Sequence, residues 1–108
     1  MILVEASTQL PVWRSLVVEA AKEAIDLNSW VTIEGACRVE ACFFLPRPKT
    51  VKRDYPIVPP DSDKLARGIL DALTVAKVYV DDSQVVDLVV YKRYADSPGA
   101  VITVTEML

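Results

Sequence analysis

The sequence predicts an α+β fold, a small mixed sheet with two helices, and three observations carry that prediction. Apolar residues recur at helical spacing over 13–25 and again over 65–76. Residues 30–45, 85–94 and 100–105 are rich in strand formers. A length of 108 residues with 52% hydrophobic content supports one core, so the prediction is a single domain over 1–108. A domain of this size buries roughly two-thirds of its unfolded surface and has little stability to spare, so a dimer interface would help it.

In chain order, Met1 to Val4 is an apolar run that reads as the end of a strand. Ser7 or Thr8 can cap the first helix, and Pro11 fits its first turn, where a missing N–H costs nothing. Trp13, Leu16, Val17, Ala20, Ala21, Ala24 and Ile25 form its apolar face, opposite Arg14, Glu19, Lys22, Glu23 and Asp26. Asn28 and Ser29 end it. The following strand stretch has a two-residue beat, with Cys37, Val39, Ala41, Phe43 and Leu45 on one face and Gly35 marking a bulge or bend. Five prolines in 46–60 forbid regular structure there. Asp61 or Ser62 can cap a second helix running to about Ala76, with Leu65, Ile69, Ala72, Leu73 and Ala76 on its apolar face. Lys77 to Val80 then leads as a short strand or turn into Asp81-Asp82. The last two strands, joined through DSPG, read as a terminal hairpin.

Composition excludes several functional classes. No apolar run approaches the ~18 residues of a membrane span, and the N-terminus lacks a signal peptide's basic start, so the expected location is cytoplasmic. Cys37 and Cys42 lie five apart in a strand and point to opposite faces, which rules out a disulfide between them and leaves reduced thiols. They also lack the spacing of zinc or redox sites. A net charge of −3 argues on its face against an acidic partner. The layout modifies that: two Mg²⁺ ions would cancel about four charges of the aspartate-rich stretch and leave a basic surface elsewhere.

That stretch carries Asp61, Asp63, Asp71, Asp81 and Asp82 at the two ends of one helix-length segment, in a chain with no histidine. Carboxylates without histidine or cysteine select hard cations such as Mg²⁺ or Mn²⁺. The chemistry that most needs such a set is attack of water on a phosphodiester, and Arg67, one turn after Asp63, is placed to contact the phosphate. Each aspartate has a structural alternative: Asp61 as a helix cap, Asp71 as a solvated partner of Arg67, Asp81 and Asp82 as turn residues. Arg47, Lys49, Lys52 and Arg53 in the proline-rich loop are either a solvated linker or phosphate contacts that order on binding, and Tyr55 is a candidate for base stacking. An aspartyl-nucleophile phosphatase would need an apolar strand before its DxD, where Pro59 and Pro60 stand instead.

The run PDSDKLARGILDALTVAKVYVDDSQVVDLVVYKRY resembles the signature of the RusA family of crossover junction endodeoxyribonucleases, with a weaker likeness through Trp13-Arg14 and LPRPK. The resemblance implies a homodimer, common in phages and prophages, that binds four-way DNA junctions in recombination and repair and cuts them symmetrically with Mg²⁺ or Mn²⁺. By position, Asp61, Asp63 and Asp82 match the catalytic metal-binding aspartates and Asp81 stands beside the last of them. Asp71 is a weaker match. The family's catalytic lysine falls at Arg67, where a phosphate contact survives and a proton-transfer role does not. Arg47, Lys49, Lys52, Arg53, Lys64, Lys92 and Arg93 are the candidate DNA contacts, although Lys64 points about 100° away from Asp63 on a helix. The resemblance also implies an N-terminally short form lacking the family's usual first strand. Two other readings remain open: a non-catalytic module that only holds branched DNA or a protein, and a hydrolase of small phosphate esters.

Overall fold

The computed structural model describes residues 1–6 and 13–108. The proposed caps Ser7 and Thr8, and Pro11 of the predicted first turn, lie outside the described residues. The sheet has the order β1-β4-β2-β3, formed by Ile2–Ala6 (β1), Cys37–Leu45 (β2), Val85–Tyr94 (β3) and Gly99–Glu106 (β4). Two helices, Trp13–Asn28 (α1) and Ser62–Val75 (α2), complete the α+β architecture. A strand thus precedes the first helix and pairs antiparallel with β4.

The centre of the sheet is β2, because its alternation is complete. Cys37, Val39, Ala41, Phe43 and Leu45 are all buried, while the residues between them are half-buried. It pairs parallel with β3 and antiparallel with β4, which uses the backbone groups on both its edges. Ile2 and Val4 of β1 and Ala100, Ile102 and Val104 of β4 extend the same buried face. Val17, Ala21 and Ala24 of α1 and Leu65, Ile69, Ala72 and Leu73 of α2 close the core over it. On the other face, Arg38 and Asp87 form an ion pair at 3.9 Å across β2 and β3.

Two expectations are corrected. The strand predicted over 30–45 begins only at Cys37, because residues 30–33 direct their hydrogen bonds to the segment after α2. The Trp30 Nε1–H and the Ile33 N–H both donate to Val78 O, at 3.1 and 3.0 Å, and the Thr32 hydroxyl donates to Lys77 O at 2.8 Å. Gly35 sits at a bend, as expected. The second correction concerns β3 and β4, which are no hairpin: β2 lies between them. Four residues, 95–98, reach across two strand spacings of about 4.8 Å, within the span of an extended chain. The crossing is anchored where the Ala95 N–H donates to Leu45 O at 2.9 Å, the point at which β2 gives way to Pro46.

Both helices stop the same way. After α1 the Trp30 N–H returns to Ile25 O, and after α2 the Val78 N–H returns to Leu73 O, each at 3.0 Å. The residue turning the chain is Ser29 (φ 50°) in one and Lys77 (φ 66°) in the other, both in the left-handed region. Because the Trp30 indole bonds Val78 O, the two helix stops are tied to each other. That tie sets where the chain emerges toward Asp81 and Asp82.

Candidate nuclease site

The aspartates divide by what their carboxylates already do. Asp61 occupies the N-cap position of α2 with extended backbone, yet its side chain makes no cap hydrogen bond. Its carboxylate is left exposed. Asp63 and Arg67 follow on the exposed face of α2, and Asp71 is half-buried one turn further on. Among the described residues the ion pair is Arg38–Asp87, so Arg67 is tied to neither Asp63 nor Asp71. Asp61 thus caps α2 by position but not through its carboxylate, and Asp71 makes no ion pair with Arg67.

Asp81 differs. It caps a single 3₁₀ turn, Asp82–Gln84, and its Oδ2 accepts from the Ser83 N–H at 3.0 Å. Hydrogen bonding from Ser83, through its side chain first and its backbone N–H second, favours the ionised form and holds the carboxyl below its usual range. The turn reading is right for Asp81 and leaves Asp82, the exposed first residue of the turn, with its carboxylate uncommitted.

Tyr79 connects the two ends. Its ring is fully buried and its hydroxyl donates to Leu70 O on α2 at 2.8 Å. Burial pushes the phenol well above its ordinary value, and the negative charges of Asp82 and Asp71 push it the same way.

Gln84 holds the turn in place. Its Oε1 accepts from the Val80 and Asp81 N–H groups at 2.9 and 2.8 Å, and its Nε2 donates to Ile33 O and Gly35 O, both at 2.8 Å. One side chain therefore fastens the Asp81-Asp82 segment to the connection before β2. Gln84→Leu is expected to lower stability by about 1–3 kcal/mol in thermal unfolding, as polar partners are left unmatched. Unchanged stability would show that the turn holds itself.

A groove of about 370 Å³ runs along α2, lined by Arg14, Asp63, Lys64, Arg67, Gly68 and Asp71. Lys64 lines it together with Asp63 despite the helical offset. Arg14, contributed by α1, lies on the polar face of that helix and in the stretch of weaker family likeness. Three cations and two carboxylates thus share a surface suited to a phosphate backbone.

The basic loop, 46–60, is irregular as expected but is docked rather than free. The Arg47 and Arg53 guanidinium groups lie 5.0 and 6.0 Å from the Tyr94 ring centre. Arg93 sits between Tyr55 and Tyr91, at 5.2 and 5.1 Å, and its Nη1 donates to Lys92 O at 2.8 Å. Lys49 and Lys52 are exposed. Lys92 points inward, where its ammonium donates to Val58 O and Pro60 O.

The donor chemistry of Asp61, Asp63 and Asp82 suits a hard cation. Yet among the described residues no three Asp, Glu, Cys or His side chains gather closely enough to hold one. No helix among the described residues is long and apolar enough to cross a membrane.

The family model described as endodeoxyribonuclease RusA matches residues 6–105. Among curated proteins the chain is similar to the uncharacterized protein YqaN of Bacillus subtilis (strain 168), at 32% identity over 87 residues. The match covers 69% of this chain and 61% of that protein, so the chain spans less than two-thirds of its relative's length.

Proposed function

Because the chain belongs to the RusA family of endodeoxyribonucleases, we propose that it is a structure-specific nuclease that resolves four-way DNA junctions by paired, symmetric phosphodiester hydrolysis. The observation that carries the reading is the division of labour in the focal segment. Asp81 and Gln84 build the turn, while Asp61, Asp63 and Asp82 keep exposed carboxylates, and Asp63 lines a groove together with Arg14, Lys64 and Arg67. These cations would bind and orient the phosphate, and the carboxylates would carry cleavage. Arg67 offers a planar guanidinium fork, which suits phosphate contact and not proton transfer.

Two further requirements belong to the proposal. The active species is a homodimer, since two equivalent sites on a twofold axis match the symmetry of a junction. Cleavage also requires Mg²⁺ or Mn²⁺, as an all-carboxylate donor set would. No step is assigned to the ion, because the carboxylates as placed form no cage.

Purified protein should nick a synthetic four-way junction at paired positions when Mg²⁺ or Mn²⁺ is supplied, lose the activity in EDTA, and run as a dimer in light scattering. Equal cutting of linear duplex would reduce it to a general nuclease. The missing cage and the arginine at position 67 favour one second reading, a branched-DNA-binding module without cleavage. Metal-independent junction binding with no nicking would select it.

A further inference from the structure

We infer that Lys92 is a positioning residue, which holds the corner where the proline-rich loop enters α2 and so sets the placement of Asp61 and Asp63, and that it is not a DNA contact. The inference rests on the reading that this corner belongs to the cutting site. Lys92 lies on β3 directly opposite Phe43 of the central strand, so its side chain starts from the helix-covered side of the sheet. From there its Nζ donates to Val58 O at 2.8 Å and to Pro60 O at 3.0 Å. The second of these is the carbonyl immediately before Asp61.

The loop needs such an anchor. Pro56, Pro59 and Pro60 have no N–H, which removes three of the backbone donors that would otherwise fix this stretch. Among the described residues, no backbone-to-backbone hydrogen bond involves residues 52–60. Carbonyls can still accept, and a charged ammonium is a strong donor to them. Lys92 is also half-buried, whereas Lys49 and Lys52 in the loop hold their side chains in solvent. A lysine with two of its three N–H groups committed to protein carbonyls is poorly disposed to bind a phosphate.

Lys92→Met keeps the apolar stem and removes the ammonium. Single-turnover cutting of the junction should fall about 10- to 100-fold, the scale of a misplacement of about 1 Å. Junction affinity, and the slope of log affinity against log salt, should stay as in the wild type. Trypsin should cut at Lys49, Lys52 or Arg53 several-fold faster in the variant, because the loop opens more often. The opposite pattern overturns the inference: unchanged cutting rate and trypsin resistance, with weaker binding and a salt slope reduced by about one, marks Lys92 as a phosphate contact. Should Lys92→Met fail to fold, Lys92→Gln is read in the same way. If the wild type cuts no junction at all, the nuclease reading fails separately, and trypsin still decides whether Lys92 holds the loop.

Discussion

Asp82→Asn should bind a four-way junction as well as the wild type and cut it about a thousandfold more slowly, a loss of about 4 kcal/mol of transition-state stabilisation. The substitution is nearly isosteric. It removes one negative charge and replaces an oxygen acceptor with an NH₂ donor. The fold should tolerate it, because Asp82 is exposed and the turn is built by Asp81 and Gln84. Binding should hold or rise slightly, since one charge that repels phosphate is gone. Only the carboxylate chemistry is lost, whether its partner is a cation or a water molecule. The companion Asp81→Asn separates the neighbours: its carboxylate accepts the Ser83 N–H, and the amide oxygen can still accept it, so cutting should fall much less. Equal losses at the two positions would mean that the turn, and not Asp82 itself, is what cleavage depends on.

The distinction between Asp81 and Asp82 was not legible in the sequence, for a physical reason. Two adjacent aspartates before a strand are equivalent until the backbone chooses which one caps, and that choice depends on Gln84 reaching Ile33 and Gly35, about 50 residues away. Periodic features were legible. Both the alternation of β2 and the apolar stripe of Leu65, Ile69, Ala72 and Leu73 follow from repeat geometry that any buried strand or helix must satisfy. The pairing of β3 was misread because DSPG is a good turn sequence, and turn chemistry says nothing about a third strand inserted between the two it joins. The surroundings of Lys92 and Arg14 were not legible for a related reason. A cation's partners, whether carbonyls or a groove, come from other elements. The aspartate set is legible because it lies in one run of sequence.

Phe43→Ala should cost about 3–5 kcal/mol of stability, a large share of the roughly 5–15 kcal/mol available to a domain. Phe43 is fully buried at the centre of the sheet, between Lys92 on β3 and Ala100 on β4. It borders an open pocket of about 210 Å³ that is also lined by Arg14 and Val17 of α1 and by Lys64, Leu65 and Ile69 of α2. Removing the ring would deepen that pocket and strip contacts from Val17, Leu65 and Ile69 where both helices meet the sheet. Urea unfolding should show a lower midpoint with an unchanged slope, and a loss under about 1 kcal/mol would mean that α2 is not seated on β2 through this ring. The effect should reach function as well. Leu65 and Ile69 hold down the helix whose exposed face carries Asp63 and Arg67, and Lys92, across the strand from Phe43, holds the loop that delivers Asp61. In conditions where the variant is still folded, junction cutting should therefore fall while Asp61, Asp63 and Asp82 are all chemically intact, because those groups work only as well as the packing beneath them fixes their positions.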